Sequence, residues 1–542
     1  MELKRSPTKT AIRHPYRSGL AATLPAELIC EIAVYFLYDW GTEGLHLLTP
    51  GKWRFMLLVC KRWYEALLQD TRLWSVIAIY GIESLRLSLE RSRIQPLTIV
   101  GTLEVWDAYT ELDTIMQNSH RIQSLQIYSI SSWVWQKFQM SRTEYAPTSQ
   151  LQELLIFKAT HNGSDDLNRF ASEKLRFLEL GGFHLEEISA FTSLPFLTSL
   201  KLHYNVHWAI ALNVKQMLDV LRQTPVLESL TLWVEMRDFP QTIQPPITLR
   251  ALTSLEFCEM KRADGTLLSM LEFPVLQYLS ITVDSDHLRT TIPHVSEVVR
   301  QMDRRTPLRG WTLHSPERGD TYCMLTPESN GTTPEKQSRG IKLLFRHFYV
   351  KRTDTDCESM IPMELLAHLI PATSSIEHLT LSNTSVAGCE TPEAWGNVFR
   401  AMPSVKSIEV TKGFLSLLSS GLCVPDLTQD MHLIWDPLFP ALERLELREL
   451  WFRPQFSKNN ELRPGTFMHL LLEPHGSCGD AHKNITVTID DCVNVVEQDV
   501  AEIRKRFTEA EVTWDGVARR AKWAGDVFRS PRNHWDMWFD GM

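Results

Sequence analysis

No two of the nine cysteines stand at Cys-x-x-Cys spacing, and their count is odd. Cys30, Cys60, Cys258, Cys323, Cys357, Cys389, Cys423, Cys478 and Cys492 are scattered along 542 residues. This excludes a Cys-x-x-Cys zinc or redox centre and argues against a disulfide framework. The thiols read as reduced, in the cytoplasm, the nucleus or both. Long apolar runs are missing as well: none approaches the roughly 18 residues that mark a membrane-crossing helix. The leading "MELKRSPTKTAIRHPYRSG" lacks the apolar block of a secretory signal. Residues 1–20 read as a disordered basic leader, the alternative being a nuclear or mitochondrial address.

Charge of one sign is scarce too. The 56 Lys and Arg against 65 Asp and Glu leave a formal net charge of −9. That is mild for this length and leaves no footprint for nucleic acid or an anionic membrane, so neither is expected as a partner. Catalytic signatures are absent: there is no Gly-rich phosphate loop, no Gly-x-Ser-x-Gly elbow and no His-Glu-x-x-His pair. His203 and His207 lie four apart, but they follow an expected strand with no acidic or Cys partner close in sequence. They read as loop residues. No catalytic residue, metal or cofactor is assigned, and the chain is not read as an enzyme.

What remains is ample apolar material. The chain is 44% hydrophobic with 17 Trp, enough for three or four domains or one long repeat array. Residues 21–80 read as a helical module. "LPAELICEIAVYFL" opens with Pro25 at a first-turn position, where a missing N–H costs nothing. Leu28, Ile32 and Tyr35/Phe36 follow at helical spacing and form an apolar stripe. "YDWGTEGLHLLTPG" breaks the pattern. A second helix then carries Leu58/Val59, Trp63 and Ala66/Leu67 on one face, with Lys61, Arg62, Glu65 and Gln69 opposite. So few residues bury only a small core. The surplus apolar surface either packs on the rest of the chain or is offered to another protein.

The order of residues in this module resembles the F-box family. The carriers are Leu24-Pro25-x-Glu27-Leu28-x-x-x-Ile32, then Leu58-Val59-Cys60-Lys61-x-Trp63, then Asp70-x-x-Leu73-Trp74-x-x-Ile77. The spacing from Leu24 to Cys60 exceeds the family's usual length, the excess falling in "YDWGTEGLHLLTPGKW". That insertion and the "RLW" ending are similar to F-box-like sequences of the mushroom-type fungal pattern. The resemblance implies a trihelical module that docks on the Skp adaptor of cullin–RING ubiquitin ligases. Leu24, Pro25, Glu27, Leu28, Ile32, Leu58, Val59, Cys60, Trp63, Leu73 and Trp74 would form the docking surface or its supporting core.

From about residue 90 one pattern recurs, apolar-x-x-apolar-x-apolar. It begins at Ile122, Leu151, Leu175, Leu197, Leu227, Leu252, Leu276, Leu308, Ile376, Val405 and Leu442. Most leading positions are 22 to 32 residues apart, which brackets a leucine-rich-repeat period. A Pro stands two residues ahead in "TPVLESL", "FPVLQYL", "MPSVKSI" and "FPALERL". The last two apolar positions alternate as a short strand requires. "NVKQMLDVLRQT" and "GTLLSMLEF" read as helices between strands. Units of this kind cannot bury their own apolar face and must stack. The leucine-rich-repeat match is loose, the expected Asn appearing clearly once, at Asn205.

The expected fold class is therefore α/β: the trihelical module, then an irregular leucine-rich-repeat-like solenoid of strand–helix units over 90–450. A polar insertion at about 314–340 reads as a mobile loop, after which "IKLLFRHFYV" supplies a hidden strand. Residues 451–542 read as a C-terminal repeat and cap, with "NITVTID" and "AEVTW" as strands and "VEQDVAEIRKRF" as a helix. The tail with Trp523, Trp535, Trp538 and Phe539 covers the apolar end, the alternative being a recruitment segment. Outward strand positions of a solenoid make one continuous surface, here carrying Lys201, His203, Trp233, Tyr278, Thr282, His378, Arg444, Glu446 and Arg448. The function expected is that of a substrate receptor in a Skp–cullin–F-box ubiquitin ligase, binding a target protein of unknown identity. The alternative is a non-catalytic interaction scaffold that directs no ubiquitin transfer.

Overall fold

In a computed structural model the chain is described over residues 23–38, 52–105, 108–141, 148–158, 167–183, 194–203, 211–233, 235–237, 245–258, 266–284, 288–314, 320–326, 340–346, 375–382, 401–411, 441–449, 485–492 and 511–516, with a few isolated positions besides. It is a mixed α/β protein whose sheet is large and mainly parallel. Two compact units divide it, Met1–Ile210 and Ala211–Met542.

The first unit opens with α1 (Ala26–Tyr38), a 3-10 helix (Lys52–Leu58), α2 (Lys61–Gln69) and α3 (Thr71–Ser75). Strands and helices then alternate: β1 (Val76–Ala78), α4 (Ile82–Ser92), β2 (Leu97–Leu103), α5 (Ala108–Met116), β3 (Ile122–Ile130), α6 (Ser132–Met140), β4 (Glu153–Lys158), β5 (Phe177–Gly181) and β6 (Ser199–His203). Each strand pairs in parallel with the next. Register turns the hexamer pattern into stacked apolar rows. Leu125, Leu154, Leu178 and Leu200 align in one, and Ile127, Ile156, Leu180 and Leu202 in the next. All eight are buried.

The helices close over these rows. Leu85 and Leu89 of α4, Leu112, Ile115 and Met116 of α5, and Val134, Trp135 and Phe138 of α6 are buried. The Trp135 ring lies 5.4 Å from that of Phe183 and 5.8 Å from that of Phe138, centroid to centroid. Helix ends leave carbonyls without intrahelical partners, and two arginines answer them. Arg121 donates to the carbonyls of Leu89 (3.0 Å) and Arg93 after α4. Arg169 donates to those of Phe138 (3.3 Å) and Ser141 (2.9 Å) after α6.

The recurring proline has a local cause. Leu197, Leu227, Val405 and Leu442 each donate their backbone N–H to the carbonyl three residues back. Pro195, Pro225 and Pro403 therefore occupy the second position of a tight turn, where a φ fixed near −65° is favoured. The turn delivers the first apolar side chain inward and aims the chain into its strand.

The second unit contains α7 (Val214–Arg222), β7 (Ser229–Trp233), β8 (Ser254–Cys258), α8 (Thr266–Ser269), β9 (Tyr278–Asp284), α9 (Leu288–Arg305), β10 (Gly310–His314), β11 (Asp320–Thr326), β12 (Gly340–Arg346), β13 (His378–Ser382), β14 (Ser407–Thr411), β15 (Arg444–Arg448), β16 (Thr486–Asp490) and β17 (Glu511–Trp514). Two short ribbons join Ala211–Asn213 to Glu235–Arg237 and Ile247–Thr248 to Leu271–Glu272. The main sheet runs β7-β8-β9-β12-β11-β10-β13-β14-β15-β16-β17. Trp311, Leu379, Ile408, Leu445, Val487 and Val512 form one of its apolar rows.

Two expectations are corrected here. The polar insertion is not simply a loop: Asp320–Thr326 is a strand, antiparallel to both β10 and β12. Its "DTYCMLT" carries enough β-branched and aromatic side chains to pair between two apolar edges. "GTLLSMLEF" forms a single helical turn, after which Leu271–Glu272 pair with Ile247–Thr248 instead of extending the helix. The hidden strand expected in "IKLLFRHFYV" is β12, and "NVKQMLDVLRQT" forms α7, capped by Asn213 Oδ1 on the N–H groups of Lys215 (3.0 Å) and Gln216 (3.3 Å). β16 and β17 are the strands expected in "NITVTID" and "AEVTW". Residues 1–20, His207, most of "VEQDVAEIRKRF" and the tail with Trp523, Trp535, Trp538 and Phe539 lie outside the described residues.

Candidate functional site

The N-terminal helices build a closed aromatic core. Ile29, Ala33, Trp53, Trp63, Leu67, Leu73, Trp74 and Val76 form one buried cluster, with Leu24, Met56, Leu57 and Cys60 packed against it. Trp53 and Trp74 meet edge to face, their centroids 5.1 Å apart. The Arg91 guanidinium sits 4.7 Å from the Trp74 centroid, a cation–π contact. Pro25 precedes α1 and its carbonyl accepts the Ile29 N–H at 3.1 Å.

Polar contacts lock the arrangement. Asp70 caps α3 by accepting the Arg72 N–H at 3.0 Å, and the Arg72 guanidinium reaches both Asp70 (2.8 Å) and Glu31 of α1 (2.8 Å). Burial works to raise the Asp70 carboxyl, but the Arg72 side-chain and backbone hydrogen bonds outweigh it and hold the group below its usual range. The Cys30 thiol donates to the Ala66 carbonyl, and burial together with the Asp70 charge pushes it up to about 11. It is therefore an unreactive thiol at neutral pH.

The apolar faces differ from the sequence expectation. The buried stripe of α1 is Ile29 and Ala33, while Leu28, Ile32 and Tyr35 face outward, Tyr35 being 69% exposed. Leu58 and Val59 do not share the buried face of Trp63. Leu58, 81% exposed, ends the 3-10 helix and Val59 follows it, while Phe55 within it is 72% exposed. The physical reason is that α1 is apolar nearly all round, so spacing alone does not choose its inner face. Of the expected site residues, Trp63, Leu73 and Trp74 are core, Leu24 and Cys60 are half-buried, and Pro25, Glu27, Leu28, Ile32, Leu58 and Val59 are exposed. Trp53, Ile29 and Ala33 escaped the sequence reading as core, and Phe55 as surface. Trp53 was the one with a signal, an aromatic at the restart of helical pattern.

The second group of expected residues lies on strand faces. In the first unit, Lys201 and His203 converge on Glu179 one strand away: Lys201 Nζ is 3.6 Å from Oε2, and His203 Nε2 is 3.0 Å from Oε1. Phe157 lies in ring contact with His203 at 5.2 Å and would collide with any Cβ at Gly181. Tyr128 donates to Gln126 Oε1 at 3.1 Å, and its phenol is pushed up by burial and by the Glu179 charge.

In the second unit, Trp233 is 38% exposed at the end of β7, and Tyr278 and Thr282 stand half-buried on β9, with β8 between them and Trp233. Burial pushes the Tyr278 phenol up against a hydrogen bond with Ser280. His378, Ser407 and Arg444 align across β13, β14 and β15. Burial pulls the His378 imidazole down. Glu446, expected as an exposed contact, is buried because two arginines clasp it: Arg444 Nε at 2.6 Å and Arg448 Nη2 at 2.7 Å. Arg448 also reaches Glu409 at 3.5 Å. Arg444 and Arg448 are thus engaged within the chain.

Among the described residues no group of three or more His, Cys, Asp and Glu side chains is placed to hold a metal ion, and no helix is long and apolar enough to cross a membrane. The geometry is that of an aromatic core carrying outward apolar side chains, beside sheet faces of mixed charge. No family model and no curated protein matches the chain.

Proposed function

We propose that the chain is the substrate-receptor subunit of a Skp–cullin–F-box ubiquitin ligase, acting in the cytoplasm, the nucleus or both. Residues 21–80 would be an F-box that docks on the Skp adaptor. The remaining strand–helix units would be a leucine-rich-repeat-like solenoid that captures a target protein on its strand face. One observation carries the reading. The module closes its own Trp core and still presents Leu28, Ile32, Tyr35, Phe55, Leu58 and Val59 to water. Exposed apolar side chains concentrated in one small module fit a surface completed by another protein.

Such a receptor performs no covalent step. It holds the target beside the ubiquitin-carrying enzyme, raising effective concentration and orienting the accepting lysine. The parallel register with stacked apolar rows supports the repeat reading, since each unit covers its apolar edge with the next.

Co-purification of the full chain with the Skp adaptor of its own organism tests the reading. The wild type should retain the adaptor, and a Leu28→Glu/Leu58→Glu variant should lose it while keeping its thermal transition. Both positions are exposed, so lost capture reports the surface and not the core. Capture of no adaptor by the folded wild type would favour the scaffold alternative.

A further inference from the structure

Among the described residues, Glu179 is a strand-face charge left incompletely paired. It is only 6% exposed, and its Oε2 has no hydrogen-bond partner. Lys201 stands above at 3.6 Å, beyond hydrogen-bond reach. A buried carboxylate oxygen without a donor is costly. Its field also reaches the Tyr128 phenol. Around it the strand face is aromatic: Phe177 two residues earlier on β5, Phe157 folded over Gly181, and the His203 ring against Phe157. Glu153, exposed and in register with Phe177, adds a second carboxylate.

We infer that this face of β3 to β6 is a seat for an arginine side chain of the target protein, with Lys201 as a displaceable cover. A planar guanidinium combines what the site offers: a flat cation stacks on aromatic rings and aims an N–H donor at Oε2, the oxygen that His203, 3.0 Å from Oε1, leaves without one. A single ammonium meets one oxygen at a time, as Lys201 now does. Lys201 has somewhere to go, because its Nζ already lies 5.4 Å from the Phe177 ring centroid. Displacement therefore trades a distant ion pair for a direct hydrogen bond to Glu179. The inference deepens the target-capture half of the proposed function and is independent of adaptor docking, so the two can fail separately.

The test uses the full chain with ¹³C-labelled histidine, the His203 ring signal being assigned through His203→Gln. N-acetyl-arginine methylamide is titrated in, with N-acetyl-citrulline methylamide as the uncharged isostere. The His203 signal should shift saturably with the arginine compound and not with citrulline. Lys201→Ala should saturate at several-fold lower concentration, and Glu179→Gln, which keeps side-chain shape, should not respond. No saturable shift in either wild type or Lys201→Ala overturns the inference. So does an equal response to citrulline, or an undiminished response in a Glu179→Gln protein that retains its thermal transition.

Discussion

Replacing Trp53 and Phe55 separately by alanine sets two aromatic side chains of one short 3-10 helix against each other. Trp53 is 2% exposed and Phe55 is 72% exposed. Trp53 contributes its area to a core of eight buried side chains and meets Trp74 edge to face. Truncating a buried Trp costs about 3–5 kcal/mol, of which the aromatic pair accounts for roughly 0.5–1.5 kcal/mol. A small module has little stability to spare, so Trp53→Ala should open residues 26–38 and 52–75 while leaving the strands from β2 onward protected. Every 1.4 kcal/mol is about tenfold in an equilibrium, so exchange through opening should accelerate about 10²-fold or more. Phe55→Ala should stay within about 0.5 kcal/mol, as surface changes do. Amide hydrogen exchange resolved by peptide is the assay, because a chain of two compact units need not unfold in one step. Equal acceleration in both variants, or none in Trp53→Ala, would refute the assignment of inner and outer faces.

Two further outcomes follow from the ion pairs. Asp70→Asn keeps a capping acceptor and removes the charge facing Arg72, so it isolates the electrostatic share. The folded-state value of Asp70 is depressed, so its contribution is present above the unfolded value near pH 3.9 and is lost as pH falls through the folded one. Wild type should exceed Asp70→Asn by no more than about 1 kcal/mol at pH 7, Arg72 being partly exposed. Amide exchange of residues 26–38 and 52–75 at pH 7 and pH 3 reads the difference, which should be smaller at the lower pH. Arg444→Ala and Arg448→Ala each leave Glu446 one cation, and each should cost about 1 kcal/mol or less, read by amide exchange over β14 to β16. Together they strand a buried carboxylate, so the double variant should exceed the sum of the two by about 0.5 kcal/mol or more. Simple additivity would mean Glu446 is already solvated.

The strands were legible because their signal is local and redundant. In "LTSLKL" or "LERLEL" the apolar positions set the buried face, the Pro-containing turn sets the entry, and the spacing implies a neighbour of the same kind. The outward neighbours were not legible. Glu179 lies 22 residues before Lys201, and only the register that aligns them makes a pair. Alternation marks Arg444, Glu446 and Arg448 as outward-facing, but it gives only a face and says nothing of what the face does to itself. The inner side of α1 was ambiguous for a different reason. Leu28, Ile32 and Tyr35 fit a helical stripe as well as Ile29 and Ala33 do, and the choice is made by the tryptophans that arrive from residues 53, 63 and 74. The strand at Asp320–Thr326 was hidden by the polar flanks that surround it.

The same contrast separates the two strand faces as binding surfaces. Around Glu446 the charges are already matched by short hydrogen bonds, so an incoming side chain must break good contacts before making its own. Around Glu179 the match is incomplete: one oxygen lacks a donor, and the nearest cation is partly exposed and beyond hydrogen-bond reach. Desolvation at Glu179 has been borne in folding, whereas the attraction that would offset it has only been half used. A ligand that supplies the missing donors gains their interaction without the cost of first uncovering the carboxylate from water. Preorganisation of this kind marks the first unit's face, rather than the more heavily charged second one, as the place where a single basic side chain of a partner gains most.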